Sequence, residues 1–295
     1  MSMRNRVKII ELDNDEPAPI KEPVQRSLPK SMQAGGTSIY LAIPAYGCLV
    51  HNSFASSLLT LQIESIKRGI PIFIDMLGNE SLIQRARNIL LARFLKSSAS
   101  HLMFIDSDIA FEANTVFRAL EYGKPCVSCA YPKKMLNFDT VVEKVKAGDS
   151  EAKNCIQSCG LDYNVNVNIA PGQSVTADNG FLEVLDAATG FLLMERGLLE
   201  RMCKKHKDLT VINDIISSRE DIPTYVDLFE CIRDPVDDKG NKRLLSEDYS
   251  FSRKVQGIGE KVYMDIGSVL AHSGNMIFSG DIRDRLEKKV SYSFA

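Results

Sequence analysis

The sequence lacks an excess of charge of either sign. Its 295 residues include 36 lysines and arginines and 38 aspartates and glutamates, so the formal net charge is −2 with every histidine neutral. Proteins that bind nucleic-acid phosphates or anionic membranes over a broad surface usually carry a clear excess of Lys and Arg. The near-balance therefore argues against a broad electrostatic partner, and we expect no nucleic acid among the partners.

Long apolar runs are also missing. No run reaches the roughly 18 residues that cross a bilayer, and the first residues lack the apolar core of a secretion signal. We therefore expect no transmembrane segment and a cytoplasmic location. The apolar share of 44% and the charged share of 25% are ordinary for a globular chain, so a sizeable core can form.

A disulfide framework is the third absence. Seven cysteines are an odd number in a chain too long to need cross-links, which favours reduced thiols. The spacing of Cys126 and Cys129, with Cys155 and Cys159 further on, invites a zinc site. However, Cys126 and Cys129 fall in a predicted strand, where an offset of three points them to opposite faces. Small buried thiols are the better interpretation.

Short apolar strands alternate four times with amphipathic helices between Ile39 and Ala130, which is typical of an α/β fold with a mostly parallel sheet flanked by helices. The pattern predicts strands at 37–44, 71–75, 102–105 and 126–130 and helices at 53–68, 80–96 and 114–122. Residues 1–36 combine prolines and charges without a period, so they predict a disordered or docking tail. No linker marks a second independent domain.

The alternation degrades after Pro132, so we predict an irregular C-terminal half. The pattern there predicts helices at 138–153, 196–206 and 247–256, a strand at 261–265, and strands within 181–194 that are broken at Thr189-Gly190.

Acidic residues follow the third predicted strand directly. Asp106 and Asp108 stand where ligands bind in open α/β sheets, and two such carboxylates can share a hard divalent cation that binds diphosphate oxygens. The alternative is a loop whose Asp residues cap a helix. A second acidic pair, Glu247 and Asp248, begins a predicted helix and can supply a general base, although an acidic first turn after Ser246 as N-cap is the routine alternative.

A histidine and two basic clusters complete the candidates. His272 follows an apolar stretch, and its neutral imidazole could ligate a cation, although a lone His is more often structural. Arg85 and Asn88 are three apart and share a helix face that suits a binding site, whereas Arg87 is expected to face solvent. Lys133, in the Lys133-Lys134 pair, can neutralise a diphosphate.

In this order, the motifs resemble the GT-A (Rossmann-like) fold glycosyltransferases, especially the small nucleotide-sugar-dependent enzymes related to family 2 in bacteria, phages and large DNA viruses. The residues that carry the resemblance are Ile43-Pro44-Ala45-Tyr46, the Arg-Asn helix, Phe104-Ile105-Asp106-Ser107-Asp108, Tyr131-Pro132-Lys133-Lys134, Thr189-Gly190-Phe191, Ser246-Glu247-Asp248-Tyr249 and Ala271-His272-Ser273-Gly274. It extends from about Ser38 to Gly274. It implies one GT-A domain over 37–295, with a nucleotide-sugar half at 37–135 and an acceptor half at 136–295.

The resemblance also implies roles for the candidates. Mn²⁺ or Mg²⁺ would be held by Asp106, Asp108 and His272, and Asp248 would be the catalytic base, supported by Glu247. Contacts to the nucleotide sugar are expected from Pro44, Ala45, Tyr46, Asp75, Arg85, Asn88, Asp106, Ser107 and Lys133. The expected reaction transfers a sugar from a UDP-sugar, or a GDP-sugar, to a glycan or other hydroxyl acceptor, with inversion favoured over retention. The segments 139–177 and 233–242 are expected to shape acceptor choice.

Two other functions remain open at this point. A nucleotidyltransferase that makes nucleotide sugars is disfavoured, because such enzymes open with a Gly-rich basic loop and the segment Ala45–Val50 has one Gly and no Lys or Arg. A non-catalytic glycan- or nucleotide-binding module on the same fold is the other alternative, since fold does not prove activity. The oligomeric state cannot be read from the sequence.

Overall fold

A computed structural model describes residues 36–148, 159–167, 175–215, 220–235 and 240–274. The helices are α1 Asn52–Arg68, α2 Ile83–Lys96, α3 Ala113–Glu121, α4 Phe138–Lys146, α5 Arg196–Lys205 and α6 Glu247–Gly257. The strands are β1 Ile39–Ala45, β2 Ile72–Gly78, β3 His101–Ile105, β4 Ile109–Ala110, β5 Cys126–Cys129, β6 Pro132–Leu136, β7 Leu161–Tyr163, β8 Phe181–Val184, β9 Phe191–Glu195, β10 Thr210–Ile212, β11 Thr224–Val226, β12 Arg233–Pro235, β13 Lys242–Leu244, β14 Val262–Asp265 and β15 Ala271–His272.

Seven strands form the central sheet in the order β2-β1-β3-β9-β5-β14-β8. The strands β2, β1 and β3 are parallel neighbours, and β14 is parallel to β5. The strands β9 and β8 run against these five strands. The predicted α/β class with a mostly parallel central sheet is therefore confirmed.

The sheet separates two apolar clusters, each covered by helices. Along β1, Tyr40 and Ala42 join the cluster under α2, α5 and α6, whereas Ile39, Leu41 and Ile43 join the cluster under α1 and α3. Strand side chains alternate between faces, so a nearly continuous apolar run is what a strand covered on both sides requires. The predicted flanking by helices follows from this and is confirmed.

The predicted elements of the first half all form, with shifted ends. The helix α2 begins at Ile83 and not near Glu80, because the Glu80 carboxylate accepts a hydrogen bond from the Leu82 backbone N–H at 2.9 Å. The helix α1 ends at Gly69, whose left-handed φ of 66° suits glycine. The strand β2 continues to Gly78, so Asp75 lies within it.

The irregular second half is confirmed as well. It contains the short antiparallel pairs β6–β7, β10–β11 and β12–β13, while β15 pairs with β4. The broken strand pattern at 181–194 is confirmed, but β8 lies at the sheet edge and β9 lies between β3 and β5. Of the predicted segments, residues 1–35, 149–158, 168–174 and 236–239 lie outside the described residues.

Two predicted absences can be compared with the structure. Cys126 and Cys129 are free thiols on opposite faces of β5, each in a different apolar cluster, as predicted. Burial raises the pKa of Cys126 to about 12, so this thiol stays protonated. Within the described residues, no helix combines the length and the apolar character that a membrane span needs.

Candidate active site

A cavity of about 750 Å³ opens at the edge of the sheet where β1, β3 and β5 end. Parallel strands bring their carboxyl ends to one edge, which is the usual ligand position in open α/β sheets. Eight predicted site residues line it: Pro44, Tyr46, Asp106, Ser107, Asp108, Lys133, Asp248 and His272. Side chains as far apart in the sequence as Pro44 and His272, 228 residues, therefore line a single space whose wall includes residues of both predicted acidic motifs.

Arg87 lies beneath this cavity. Its side chain is 3% exposed, its Nη2 donates to Asp106 Oδ1 at 3.1 Å, and its Nη1 donates to the Thr189 carbonyl at 3.5 Å. The expectation that Arg87 faces solvent is therefore wrong. The reason is tertiary: the polar side of α2 is covered by the segment around Phe229, whose N–H donates to Asn88, and by the start of α6.

Asp108 is held by two cationic or basic groups. The Lys134 ammonium donates to Asp108 Oδ2, and Nε2 of His272 lies 3.4 Å from Asp108 Oδ1. Burial alone would raise the pKa of Asp108, but the contacts with His272 and Lys134 outweigh it and lower this pKa to about 2. Asp108 is therefore an ionised carboxylate at neutral pH.

His272 is oriented by a backbone carbonyl. Its Nδ1 lies 2.9 Å from the Pro132 carbonyl oxygen, and β15 pairs His272 with Ile109, beside the acidic turn Asp106–Asp108. A carbonyl can only accept, so Nδ1 carries the proton. Nε2 faces Asp108, to which it donates when the ring is protonated and presents a lone pair when the ring is neutral. Metal-ligating histidines are commonly oriented in this way.

The fit to a divalent cation can be tested on these atoms. Asp108 Oδ1 is buried and makes no hydrogen bond within the described residues, and Nε2 of His272, which has a lone pair in the neutral ring, lies beside it. A carboxylate oxygen suits Mn²⁺ or Mg²⁺, and a neutral imidazole nitrogen is a ligand of divalent transition metals. Asp106 is instead engaged by Arg87, and the described part of the chain has no group of three His, Cys, Asp or Glu side chains arranged as a metal site. The pair Asp108 and His272 fits a cation; the predicted trio is not assembled.

The start of α6 presents its acidic pair in two directions. Asp248 lines the cavity, and its Oδ1 accepts hydrogen bonds from the Ser246 hydroxyl and from the Tyr249 N–H at 2.8 Å. Ser246 is at the N-cap, but its hydroxyl donates to Asp248 and caps no helix N–H. Glu247 points inward, with Oε1 3.6 Å from Arg87 Nε. Burial raises the pKa of Glu247, and Arg87 offsets part of this.

Two predicted residues on α2 turn away from the cavity. Arg85 donates to Glu80 through Nε and Nη2, both at 2.9 Å. Asn88 is 1% exposed and donates to Asp227 Oδ1 at 2.6 Å. Neither side chain lines the cavity, because α2 presents Arg87, and not the face of Arg85 and Asn88, to the acidic turn.

Two further predicted residues on the strands also lie outside the cavity lining. Ala45, at the end of β1, is buried. Asp75 accepts hydrogen bonds from the Tyr40 hydroxyl at 2.5 Å and from Arg93 at 3.2 Å. The prediction placed Asp75 at the end of its strand; the structure places it within β2, in an ion pair on the flank of the sheet.

Gly190 and Tyr131 lie in motifs that carry the resemblance, but their contacts with each other and with Asp106 were not predicted. The Gly190 N–H donates to the Tyr131 hydroxyl at 3.2 Å, and a Cβ on Gly190 would meet that hydroxyl and come within 2.8 Å of Asp106 Oδ2. Burial raises the pKa of Tyr131, which is therefore neutral. The signal was the Thr189-Gly190 break between predicted strands: a glycine there permits close approach of the backbone to a polar cluster.

The lining of the cavity is acidic on balance. Four carboxylates and two ammonium groups contribute to it: Glu80, Asp106, Asp108, Asp248, Lys133 and Lys134. An anionic ligand would meet net negative charge here unless a cation came with it.

The comparisons with known proteins contribute little. No protein-family profile and no curated protein sequence match the chain. The crystal structure of A197 from STIV is similar at 17% identity and a TM-score of 0.42, over 81% of this chain and 87% of that one. The crystal structure of GalNAc-T7 with UDP, GalNAc and Mn²⁺ is similar at 9% identity and a TM-score of 0.40, over 81% of this chain and 43% of that one. At these TM-scores neither likeness bears on activity.

Proposed function

We propose that this protein is a metal-dependent GT-A glycosyltransferase that moves a sugar from a nucleotide-diphosphate donor, UDP before GDP, to a hydroxyl of a glycan or glycoconjugate, with inversion. The observation that carries the proposal is the pairing of Asp108 and His272 in the same cavity as Asp248. A cavity of about 750 Å³ is within the usual range for small-molecule sites.

The acidic lining supports a cation-dependent donor. Asp108 and His272 would hold Mn²⁺ or Mg²⁺, and the cation would supply charge stabilisation to the leaving diphosphate. Asp106, which Arg87 holds in position, would contact the nucleotide beside the cation, and Ser107 lines the same cavity. Lys133, which lines the cavity and whose ammonium lies 2.7 Å from Asp162, would reach a phosphate oxygen as a mobile point charge.

The base would be Asp248. An inverting transfer needs a carboxylate that accepts the proton of the attacking hydroxyl. The hydrogen bonds from Ser246 and from the Tyr249 N–H on Oδ1 orient this carboxylate toward the cavity. Glu247 would support the acceptor side from its position against Arg87.

The walls of the cavity suggest which side takes which substrate. Pro44 and the exposed Tyr46 form an apolar wall suited to a nucleobase, at the end of β1. Asn164, from the segment 139–177, lines the cavity together with Lys133 and Asp248. We propose that this segment and the 233–242 hairpin shape acceptor choice, as the sequence predicts.

Calorimetry with UDP and GDP, with and without Mn²⁺, tests the proposal. We expect binding of one nucleotide only when Mn²⁺ is present, and slow hydrolysis of the matching nucleotide sugar. Asp108→Asn should abolish the Mn²⁺-dependent binding of the nucleotide. Asp139→Asn, which removes a carboxylate from the exposed helix α4, should leave that binding unchanged. Full transfer activity without a metal would contradict the assignment, and metal-dependent binding without any turnover would favour a non-catalytic module.

A further inference from the structure

A single buried guanidinium stands between two carboxylates from different parts of the chain. Arg87 Nη2 donates to Asp106 at 3.1 Å, and Arg87 Nε lies 3.6 Å from Glu247 Oε1. The three side chains are 3%, 29% and 15% exposed. Screening by water is weak at such burial, so the one positive charge is the main compensation for two negative charges.

The two carboxylates belong to the two sides of the cavity. Asp106 begins the acidic turn after β3, whereas Glu247 begins α6 and precedes Asp248. Arg87 also donates to the Thr189 carbonyl, next to the glycine that approaches Asp106. One side chain therefore contacts the acidic turn, the β9 entry and the start of α6.

The contact of Arg87 with Glu247 is longer than a hydrogen bond. Arg87 Nε is buried and makes no hydrogen bond within the described residues, and its separation from Glu247 Oε1 is slightly too long for one. A small inward movement of α6 would complete the bond and bring Asp248 with it.

We propose that Arg87 is a positioning residue that ties the acidic turn Asp106–Asp108 to the start of α6, so that the nucleotide side and the acceptor side of the cavity keep one relative position. The catalytic part of this inference rests on the proposed function. Arg87 itself touches no substrate, because it lies under the cavity and not in its lining.

Arg93 provides a matched control. It lies on the same helix, its side chain is 19% exposed, and it pairs with Asp75 at 3.2 Å away from the cavity. Arg87→Met and Arg93→Met each remove a largely buried Arg–Asp pair from α2. A general loss of helix packing would affect both variants, whereas loss of the proposed tie affects only the first.

The first measurement is thermal unfolding, which needs no activity. We expect Arg87→Met to lower Tm, and Glu247→Gln added to it to restore several degrees, because the uncompensated carboxylate is gone. The same substitution added to Arg93→Met should change Tm only as much as it does in the wild type, because Arg87 still compensates Glu247 there. If Arg87→Met does not fold, Arg87→Lys replaces it, since a point charge without the planar fork cannot serve both carboxylates. Equal effects of Glu247→Gln in both backgrounds would overturn the proposal.

The second measurement is turnover of the nucleotide sugar that the wild type hydrolyses. We expect Arg87→Met to lower kcat by about 100-fold with KM nearly unchanged, Arg87→Lys to recover part of the loss, and Arg93→Met to match the wild type. A raised KM at unchanged kcat would overturn the positioning role, because it would indicate direct substrate contact. A wild type that binds neither UDP nor GDP would refute the proposed function, and the unfolding experiment would still decide whether Arg87 ties the two segments.

Discussion

The two halves of the molecule build the cavity differently. In the first half, the acidic turn extends from β3, whose residues Leu102 to Ile105 are fully buried between two helical layers. In the second half, His272 belongs to a two-residue strand and Asp248 to the first turn of a helix. The difference shows that core packing positions the first set, whereas a few polar contacts, such as that of His272 with the Pro132 carbonyl, position the second.

The largest effect is expected where the two halves meet, at Asp108. Asp108→Asn removes the charge that contacts Lys134 and, from the second half, His272. We expect a loss of about 100- to 1,000-fold in Mn²⁺-dependent turnover, measured by donor hydrolysis. Thermal unfolding should show a moderately lower Tm, because the lowered pKa of Asp108 means that its charge stabilises the fold at neutral pH. Similar activity in Asp108→Asn and in the wild type would contradict a role for this contact.

Gly190→Ala should affect stability and activity together, because Gly190 joins the packed sheet to the acidic turn. Its new methyl group would meet the Tyr131 hydroxyl and come within 2.8 Å of Asp106 Oδ2. Overpacking of this kind costs about 1–3 kcal/mol, readable from chemical denaturation. Gly257→Ala is the control, since a Cβ there meets nothing within 4 Å. Equal stability of the two variants would show that the close packing at Gly190 is dispensable.

Two buried carboxylates should respond oppositely to pH. Burial raises the pKa of Glu247 above its ordinary 4.5. The contribution of Glu247 to the free energy of unfolding is therefore fully present below pH 4.5 and is lost as the pH rises through the raised pKa. For Asp265, burial is outweighed by Arg118 and Ser268, and its pKa falls below 3.8. Its contribution is present above 3.8 and is lost as pH falls through the lowered pKa.

The prediction follows from these signs. At pH 7 Glu247→Gln should raise stability by about 1 kcal/mol or less, whereas Asp265→Asn should lower it by about 2 kcal/mol. Denaturation at pH 7 and at a pH below 3.8 measures both, and the deficit of Asp265→Asn should shrink in acid. If Glu247→Gln instead lowered the stability at neutral pH, the ionised Glu247 would stabilise the fold as Asp265 does. The expected difference between a cavity carboxylate and a core carboxylate would then be contradicted.

The smallest effect is expected at Lys134. Its ammonium contacts Asp108 Oδ2, and its side chain is 42% exposed, so water screens part of the attraction between the two charges. Lys134→Met should tighten Mn²⁺ binding by about two- to fivefold, the size of a surface ion pair, as measured by calorimetry. Lys144→Met, on the exposed side of α4, should leave the affinity as it is. Weaker Mn²⁺ binding by Lys134→Met would mean that this lysine helps to assemble the second half of the site.

The regular part of the fold was predictable because its signals are local. Strands covered on both faces are continuous apolar runs, as in β1 and β3, and a left-handed glycine ends α1 where the pattern stops. The position of Asp106 and Asp108 at a strand end followed from the same reasoning. The extended end of β2 was missed because Met76 to Gly78 lack a buried apolar pattern.

Arg87 marks the limit of that reasoning. Helix periodicity assigns it to the polar side of α2, and a polar side is ordinarily solvated. Here the chain around Phe229 and the start of α6, more than 130 residues later, covers that side. No local pattern on α2 distinguishes Arg87, which lies under the cavity between Asp106 and Glu247, from Arg85, which pairs with Glu80 and does not line the cavity.

The sequence by itself determined the α/β class, the alternating order of the first half and the residue types from which a cation and base site could be made. These depend on side-chain period and on the ends of strands, which neighbouring residues set. Only the tertiary structure decided that Asp106 pairs with Arg87, that Asp108 and His272 stand together, and that Asp75, Arg85 and Asn88 turn elsewhere. Those contacts join segments far apart in the chain, and their energies come from burial and charge compensation that exist only after the segments pack.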